Sequence, residues 1–193
     1  MFKRKYEFKP DKDRSGTLSK LYVTKKQRLT LLKWLLMTFV LVVISVVQDV
    51  ILSQIPIFGT RIDLLACAIL LACVLQDPEV GCVFALVSSA LYWFSGSAPG
   101  PYVVALLTAL GVVVSIFRHS YLRYSFVSIL TCTAAAVMVY ELLTFAIGFF
   151  LGRTTLSRLA GFCLSGGLSL AVMPLLYPVF VAIGKIGGET WKE

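Results

Sequence analysis

Charged residues are scarce over most of this 193-residue chain, in which they make up 15% of the sequence against 58% hydrophobic residues. Residues 1–33 hold eleven of the 18 Lys and Arg and three of the 10 Asp and Glu. The remaining 160 residues therefore carry seven charges of each sign. This balance lies outside that of an ordinary soluble domain and excludes a basic nucleic-acid-binding surface spread over the fold. It indicates an integral membrane protein.

Groups that carry catalysis or bind metals are also scarce. The chain has a single histidine, His119, and five cysteines without a CxxC pair. It contains no Walker-type glycine loop and no nucleophile elbow. Because a zinc site needs several such ligands close together, we expect no metal and no cofactor. If the chain is an enzyme, these residues do not reveal its chemistry. The cysteines are interpreted as small apolar residues of the membrane spans, without disulfides.

Long apolar runs predict six transmembrane helices, since a helix needs about 20 residues to cross the hydrocarbon at 1.5 Å per residue. The predicted fold is an all-α integral membrane protein. Residues 1–30 form a basic cytoplasmic tail, residues 31–187 the six-span domain and residues 188–193 a short cytoplasmic C-terminus. The spans are placed at residues 31–52, 62–76, 79–95, 102–117, 124–151 and 158–183, and the second is the shortest.

The basic tail predicts the topology, because Lys and Arg flanking a first span favour the cytoplasmic side. An even number of spans then places both termini in the cytoplasm, and we expect the tail to contact anionic lipid head groups. Gln76–Glu79 is predicted to be a tight cytoplasmic turn around a proline. Arg118 and His119 are placed in a cytoplasmic loop. The stretch YWFSGSAPGPY (92–102) is predicted to bring Tyr92, Trp93 and Phe94 to the outer interface and to turn the chain back.

Small residues four apart in the third span, Gly81, Ala85 and Ser89, share one helix face and allow close backbone approach. This face can pack within the bundle or against another membrane protein, and the sequence leaves both open. Glu141 lies ten residues before the end of the fifth span, where an ionised carboxylate is costly, so it is a candidate functional residue. Its alternative role is to fix the helix register as a protonated or internally paired group.

Two further carboxylates, Asp49 and Asp63, are placed near the outer ends of the first and second spans. Arg61 and Asp63 can face the head groups. A groove that joins Glu141 to Asp49 or Asp63 would suit a polar ligand or the basic side chain of a partner.

Three stretches resemble the family of the rod shape-determining protein MreD. They are RIDLLACAIL (61–70), FSGSAPG (94–100) after the small residues of the third span, and MPLLYPVFVAIGKI (173–186). The resemblance covers about residues 34–187. Two positions depart from the family pattern: Ile62 stands where proline is usual, and Tyr92 or Trp93 where an aspartate is usual.

The resemblance implies a non-enzymatic scaffold of the bacterial cell-elongation complex in the inner membrane, with a fold similar to energy-coupling factor transporter S components. The implied partners are MreC and, directly or through it, RodA, its transpeptidase partner and MreB. Two alternatives remain: the vitamin-binding subunit of an energy-coupling factor transporter, with the outer loops as a lid, and a membrane-embedded enzyme. The candidate contacts for a partner or ligand are Glu141, Asp63, Asp49, Arg61, Gly81, Ala85, Ser89, Trp93 and Gly100.

Overall fold

The computed structural model describes residues 25–52, 54, 62–121 and 125–186. Within these ranges it contains α-helices and no strand, so the all-α prediction is confirmed. The helices are α1 (Lys25–Val47), continued by a π-helical turn (Gln48–Leu52), α2 (Leu64–Leu75), α3 (Pro78–Phe94), α4 (Tyr102–Tyr121), α5 (Phe126–Phe150) and α6 (Leu159–Gly184), the last preceded by a 3-10 turn (Leu156–Arg158).

Four stretches of helix are long and apolar enough to cross a membrane, judged by length and composition. They are Arg28–Leu52, Tyr102–Tyr121, Phe126–Phe150 and Leu156–Gly184. The surface of these helices is rich in large apolar side chains, among them Phe39 at 62% and Phe150 at 87% exposure. Since lipid is the solvent that accepts such a surface, the four helices indicate a membrane protein. α2 and α3, with 12 and 17 residues, are shorter.

α2 lies at the centre of the helical domain, and all twelve of its residues are buried. It contacts each of the other five α-helices. A helix that is apolar on every side belongs in a core or a membrane, and LLACAILLACVL satisfies that pattern. Because the helix is only about 18 Å long at 1.5 Å per residue, its polar ends need partners from neighbouring helices.

The predicted turn at Gln76–Glu79 is confirmed, since α2 ends at Leu75 and Pro78 occupies the first turn of α3. Proline suits this position because its missing N–H would have no partner there. Gly96 and Gly152 have φ values of 81° and 67° in the turns after α3 and α5. These values lie in the left-handed region, which favours glycine.

Two boundaries differ from the prediction by more than two residues. α1 begins at Lys25, six residues before the predicted span, and α4 continues through Arg118 and His119 to Tyr121. The placement of Arg118 and His119 in a loop is therefore wrong, because both lie in the last turn of α4, where cations are favoured by the helix dipole. His119 is exposed, whereas Arg118 is only 1% exposed.

Candidate functional site

The N-terminus of α2 is capped inside the protein by Asp63, whose Oδ1 accepts a hydrogen bond from the Ala66 N–H at 3.1 Å. The Leu65 N–H, which also has no partner within the helix, donates to Oε1 of Gln48 at 2.7 Å. Because the first four N–H groups of any helix lack partners within the helix, a helix that starts in the core needs such acceptors. Asp63 and Gln48 together supply them.

Two tyrosine hydroxyls also donate to Asp63. Tyr92 of α3 lies 2.6 Å from Oδ2 and Tyr140 of α5 lies 3.3 Å from the same oxygen. The amide of Gln48 approaches Oδ1 at 3.5 Å. We call these four residues, Gln48, Asp63, Tyr92 and Tyr140, the Asp63 cluster. It joins α1, α2, α3 and α5 at a single carboxylate.

α6 is connected to the same point through two serines. The Asp63 backbone N–H donates to Ser169 Oγ at 3.1 Å, and Ser169 Oγ donates to the Ser165 carbonyl at 2.9 Å. Ser165 Oγ in turn donates to Oε1 of Glu141 at 2.9 Å. Serines four residues apart on α6 therefore connect Asp63 to Glu141 on α5.

Glu141 and the Asp63 cluster line one cavity of about 140 Å³. Its wall also includes Thr144, Ser165 and residues of the turn between α3 and α4. The volume is about that of an engineered protein cavity that binds benzene, and is far larger than one water needs. Among the described residues, its charged lining consists of the two carboxylates Asp63 and Glu141.

Thr144 adds a polar group that the protein itself does not satisfy. Its side chain is 4% exposed, and its hydroxyl has no hydrogen-bond partner in the described structure. The Tyr140 hydroxyl, one helical turn earlier, lies close enough to interact with Thr144 but directs its proton to Asp63, and the Thr144 hydroxyl has no hydrogen bond of good geometry. Buried hydroxyls are nearly always hydrogen-bonded, so an unsatisfied one in a cavity wall needs an explanation.

The structure brings together two of the candidate residues, Asp63 and Glu141. Asp49 lies in the π-helical turn, where Ser45 Oγ donates to it at 3.5 Å, and it does not line the cavity. Arg61 lies outside the described residues. Trp93 is 42% exposed beside Phe94, as an interface residue would be. Gly100 lies in the turn before α4, against the Tyr102 ring.

Gly81, Ala85 and Ser89 are all buried and face inward. A Cβ added at Gly81 would lie 3.0 Å from Ser115 Oγ of α4, and Ser89 Oγ is hydrogen-bonded to Thr108 of α4 at 3.0 Å. The contact is therefore between α3 and α4. These residues are not available to a partner, because α4 already covers them.

The placement of Tyr92 at the outer interface is wrong. Its side chain is 1% exposed and points into the Asp63 cluster, whereas Trp93 and Phe94 are exposed. Gln48, Tyr140 and Thr144 were not identified from sequence either. A usable signal for the last two is their spacing on α5: Tyr140 precedes Glu141 and Thr144 follows it by three residues, which places all three near one face of the helix.

Comparison of the chain with protein-family models, with curated proteins and with solved structures gave no match.

Proposed function

We propose that this protein is a non-enzymatic membrane scaffold of the MreD type, which maintains rod shape by binding MreC and associated wall-synthesis proteins. The observation that carries the proposal is the position of the resembling stretches. Residues 62–70 begin the buried central helix and supply its aspartate cap, and residues 94–100 form the turn beside it. Residues 173–186 form the second half of α6, which contacts α2. The resemblance thus falls on the residues that organise the fold around α2.

The proposal includes six membrane crossings. α2 is too short to span lipid by itself, but the other helices surround it, so its ends do not need to reach both surfaces. The excess of Lys and Arg in residues 1–33 supports a cytoplasmic N-terminus, and six crossings would return the C-terminus to the same side of the proposed bacterial inner membrane. The cavity then lies toward the outer face.

Cysteine labelling tests this topology. Single cysteines are introduced at Ser15 and at Ser157, an exposed residue of the turn between α5 and α6, in a background from which the five natural cysteines have been removed. An impermeant thiol reagent added to intact cells is expected to label the Ser157→Cys variant only. Labelling of Ser15→Cys alone would contradict the proposed orientation.

The surface left for a partner is the lipid-facing side of the helices, since the α3 face with Gly81 is covered by α4. On α1, the residues Leu35, Phe39, Val42 and Val46 are 68%, 62%, 47% and 54% exposed and follow one another at helical spacing. A single-span protein such as MreC has the chemistry to pack on such an apolar stripe. RodA, its transpeptidase partner and MreB complete the proposed complex, and the tail is proposed to contact anionic lipids.

Co-purification tests the scaffold. The tagged full-length protein, extracted in mild detergent, is expected to retain the MreC protein of its own cell. The Glu141→Gln variant is expected to retain as much, because an amide keeps a hydrogen-bond acceptor for Ser165. Replacing Leu35 and Phe39 by serine should reduce the amount of MreC recovered. The matched control makes the same replacement at Phe150 and Leu151, which lie on another exposed surface. Absence of MreC from the wild-type sample would contradict the proposal.

A second candidate function is favoured by the cavity itself. A vitamin-binding subunit of an energy-coupling factor transporter would also hold a polar cavity of this kind, with the turn at residues 95–101 as its lid. In that function Glu141→Gln would abolish uptake of a radiolabelled vitamin. The Leu35 and Phe39 variant would then leave uptake unchanged unless α1 docks the transport partner.

A further inference from the structure

The cavity beside Asp63 contains two kinds of polar group, those already satisfied and those that are not. Asp63 accepts from Tyr92, Tyr140, Gln48 and the Ala66 N–H. An ionised carboxylate offers about four acceptor sites, so these donors use its capacity. Asp63 therefore serves the fold, and it is not the group that a ligand would contact first.

Glu141 can still accept further hydrogen bonds. Ser165 donates to its Oε1, and no other described residue donates to this carboxylate. One helical turn further along α5, the Thr144 hydroxyl is unpartnered in the described structure and lines the same cavity. The two side chains are three residues apart and so lie on one face of α5. They form a pair of groups that can still bond to an occupant.

The occupant must match this charge and volume. The two carboxylates among the described lining residues disfavour an anion, and a cation can pair with Glu141 in a way that a neutral molecule cannot. A volume near 140 Å³ admits about six non-hydrogen atoms, by comparison with the benzene-binding cavity. A primary ammonium group supplies three donors, enough for Glu141 and Thr144 together.

We propose that this cavity binds a small primary ammonium ion, either free or as the ethanolamine head group of a lipid, with Glu141 and Thr144 as its contacts. The site does not depend on the scaffold proposal, because its contacts lie inside the helical domain and not on the partner surface.

Binding is measured on the full-length protein in nanodiscs of phosphatidylcholine and phosphatidylglycerol. The probe is ethanolammonium chloride, compared with sodium chloride at equal ionic strength and with ethylene glycol, a neutral molecule of the same size. The thermal midpoint is expected to rise with ethanolammonium alone, because a ligand that binds only the folded state stabilises it. An equal rise with sodium or ethylene glycol would overturn the proposal.

Three variants locate the site. Glu141→Gln and Thr144→Val keep the side-chain size, and each should weaken ethanolammonium binding. For Glu141→Gln we expect a loss of at least about tenfold, the equivalent of about 1.4 kcal/mol, because hydrogen bonds to charged groups are stronger than those between neutral groups. Asp49→Asn, which changes a carboxylate outside the cavity, should leave binding unchanged. Unaltered binding in both cavity variants would overturn the proposal.

The source of the ammonium group is distinguished by changing the lipid. Nanodiscs that contain phosphatidylethanolamine should raise the wild-type midpoint and remove the response to added ethanolammonium if the head group occupies the site. A response to ethanolammonium that is equal in both kinds of nanodisc assigns the site to the free ion. No response to either form of ethanolamine would contradict the site.

Discussion

Replacing Asp63 with alanine is expected to lower the thermal midpoint of the purified protein by about 6 to 12 °C, the equivalent of about 3 kcal/mol for a domain of this size. The change removes the cap of α2, which contributes about 0.5–2 kcal/mol. It also leaves the hydroxyls of Tyr92 and Tyr140 without their acceptor, at about 1–3 kcal/mol for each group that water cannot reach. The midpoint is measured in detergent by the change of intrinsic fluorescence.

The matched control removes the donors together with the acceptor. Replacing Tyr92 and Tyr140 by phenylalanine in the Asp63→Ala protein should recover part of the lost stability, because the stranded hydroxyls are gone. Asp63→Asn should fall between the wild type and Asp63→Ala, since the amide oxygen still accepts one or two bonds. A wild-type midpoint for Asp63→Ala would contradict the role of the cluster in holding α1, α2, α3 and α5.

Replacing Gly111 with leucine is expected to prevent most of the protein from folding. A Cβ at this position would lie 2.9 Å from the Ala85 Cβ and 3.1 Å from the Cys73 sulfur. A Cβ atom cannot rotate away, so α3 and α4 would have to separate, at a cost above the usual 1–3 kcal/mol of overpacking. Gly111→Ala should show a smaller loss, and the fraction of monodisperse protein after size-exclusion chromatography measures both.

Gly167 provides the control for that experiment. It lies on α6, is exposed, and has nothing within 4 Å of an added Cβ. Gly167→Leu should therefore give as much monodisperse protein as the wild type. If Gly111→Leu also behaved as the wild type, the close packing of α2, α3 and α4 would be contradicted.

The sequence predicts helices here because apolar runs and their interruptions are visible along the chain. Gln76–Glu79 shows this, since the polar residues and Pro78 mark the turn between α2 and α3. The start of α1 was less visible, because Lys25 and Lys26 resemble a tail and yet lie in the helix. Charge patterning alone cannot tell a helix that extends into the head-group region from an irregular tail.

The site was harder to predict, because the helices of a membrane protein can be apolar on their lipid side and on their inner side alike. Tyr92 and Trp93 illustrate the problem. Both suit the interface, yet a rotation of 100° along α3 sends one into the core and leaves the other exposed. Tyr92 rather than Trp93 faces inward because its hydroxyl donates to Asp63 at the start of α2. That contact spans 29 positions of sequence.

Arg118 shows the same limit at the opposite end of α2. A basic residue after an apolar run predicts a cytoplasmic loop, but the side chain is buried near Asp77, the N-cap of α3 in the turn that follows α2. Glu141 was recognisable because a carboxylate inside an apolar run is unusual in any register. Its neighbours Thr144 and Ser165 were not, since hydroxyls occur on both faces of membrane helices.

The most direct measurement for the scaffold proposal is cell shape after depletion of the protein in its own cell. We predict that depleted cells become wide and round, and that either the wild type or Glu141→Gln restores rods at equal protein level. Uptake of radiolabelled vitamins, followed in the same cultures, should not change. Cells that remain rods while they lose vitamin uptake, restored by the wild type and not by Glu141→Gln, would contradict the scaffold and support the transport function.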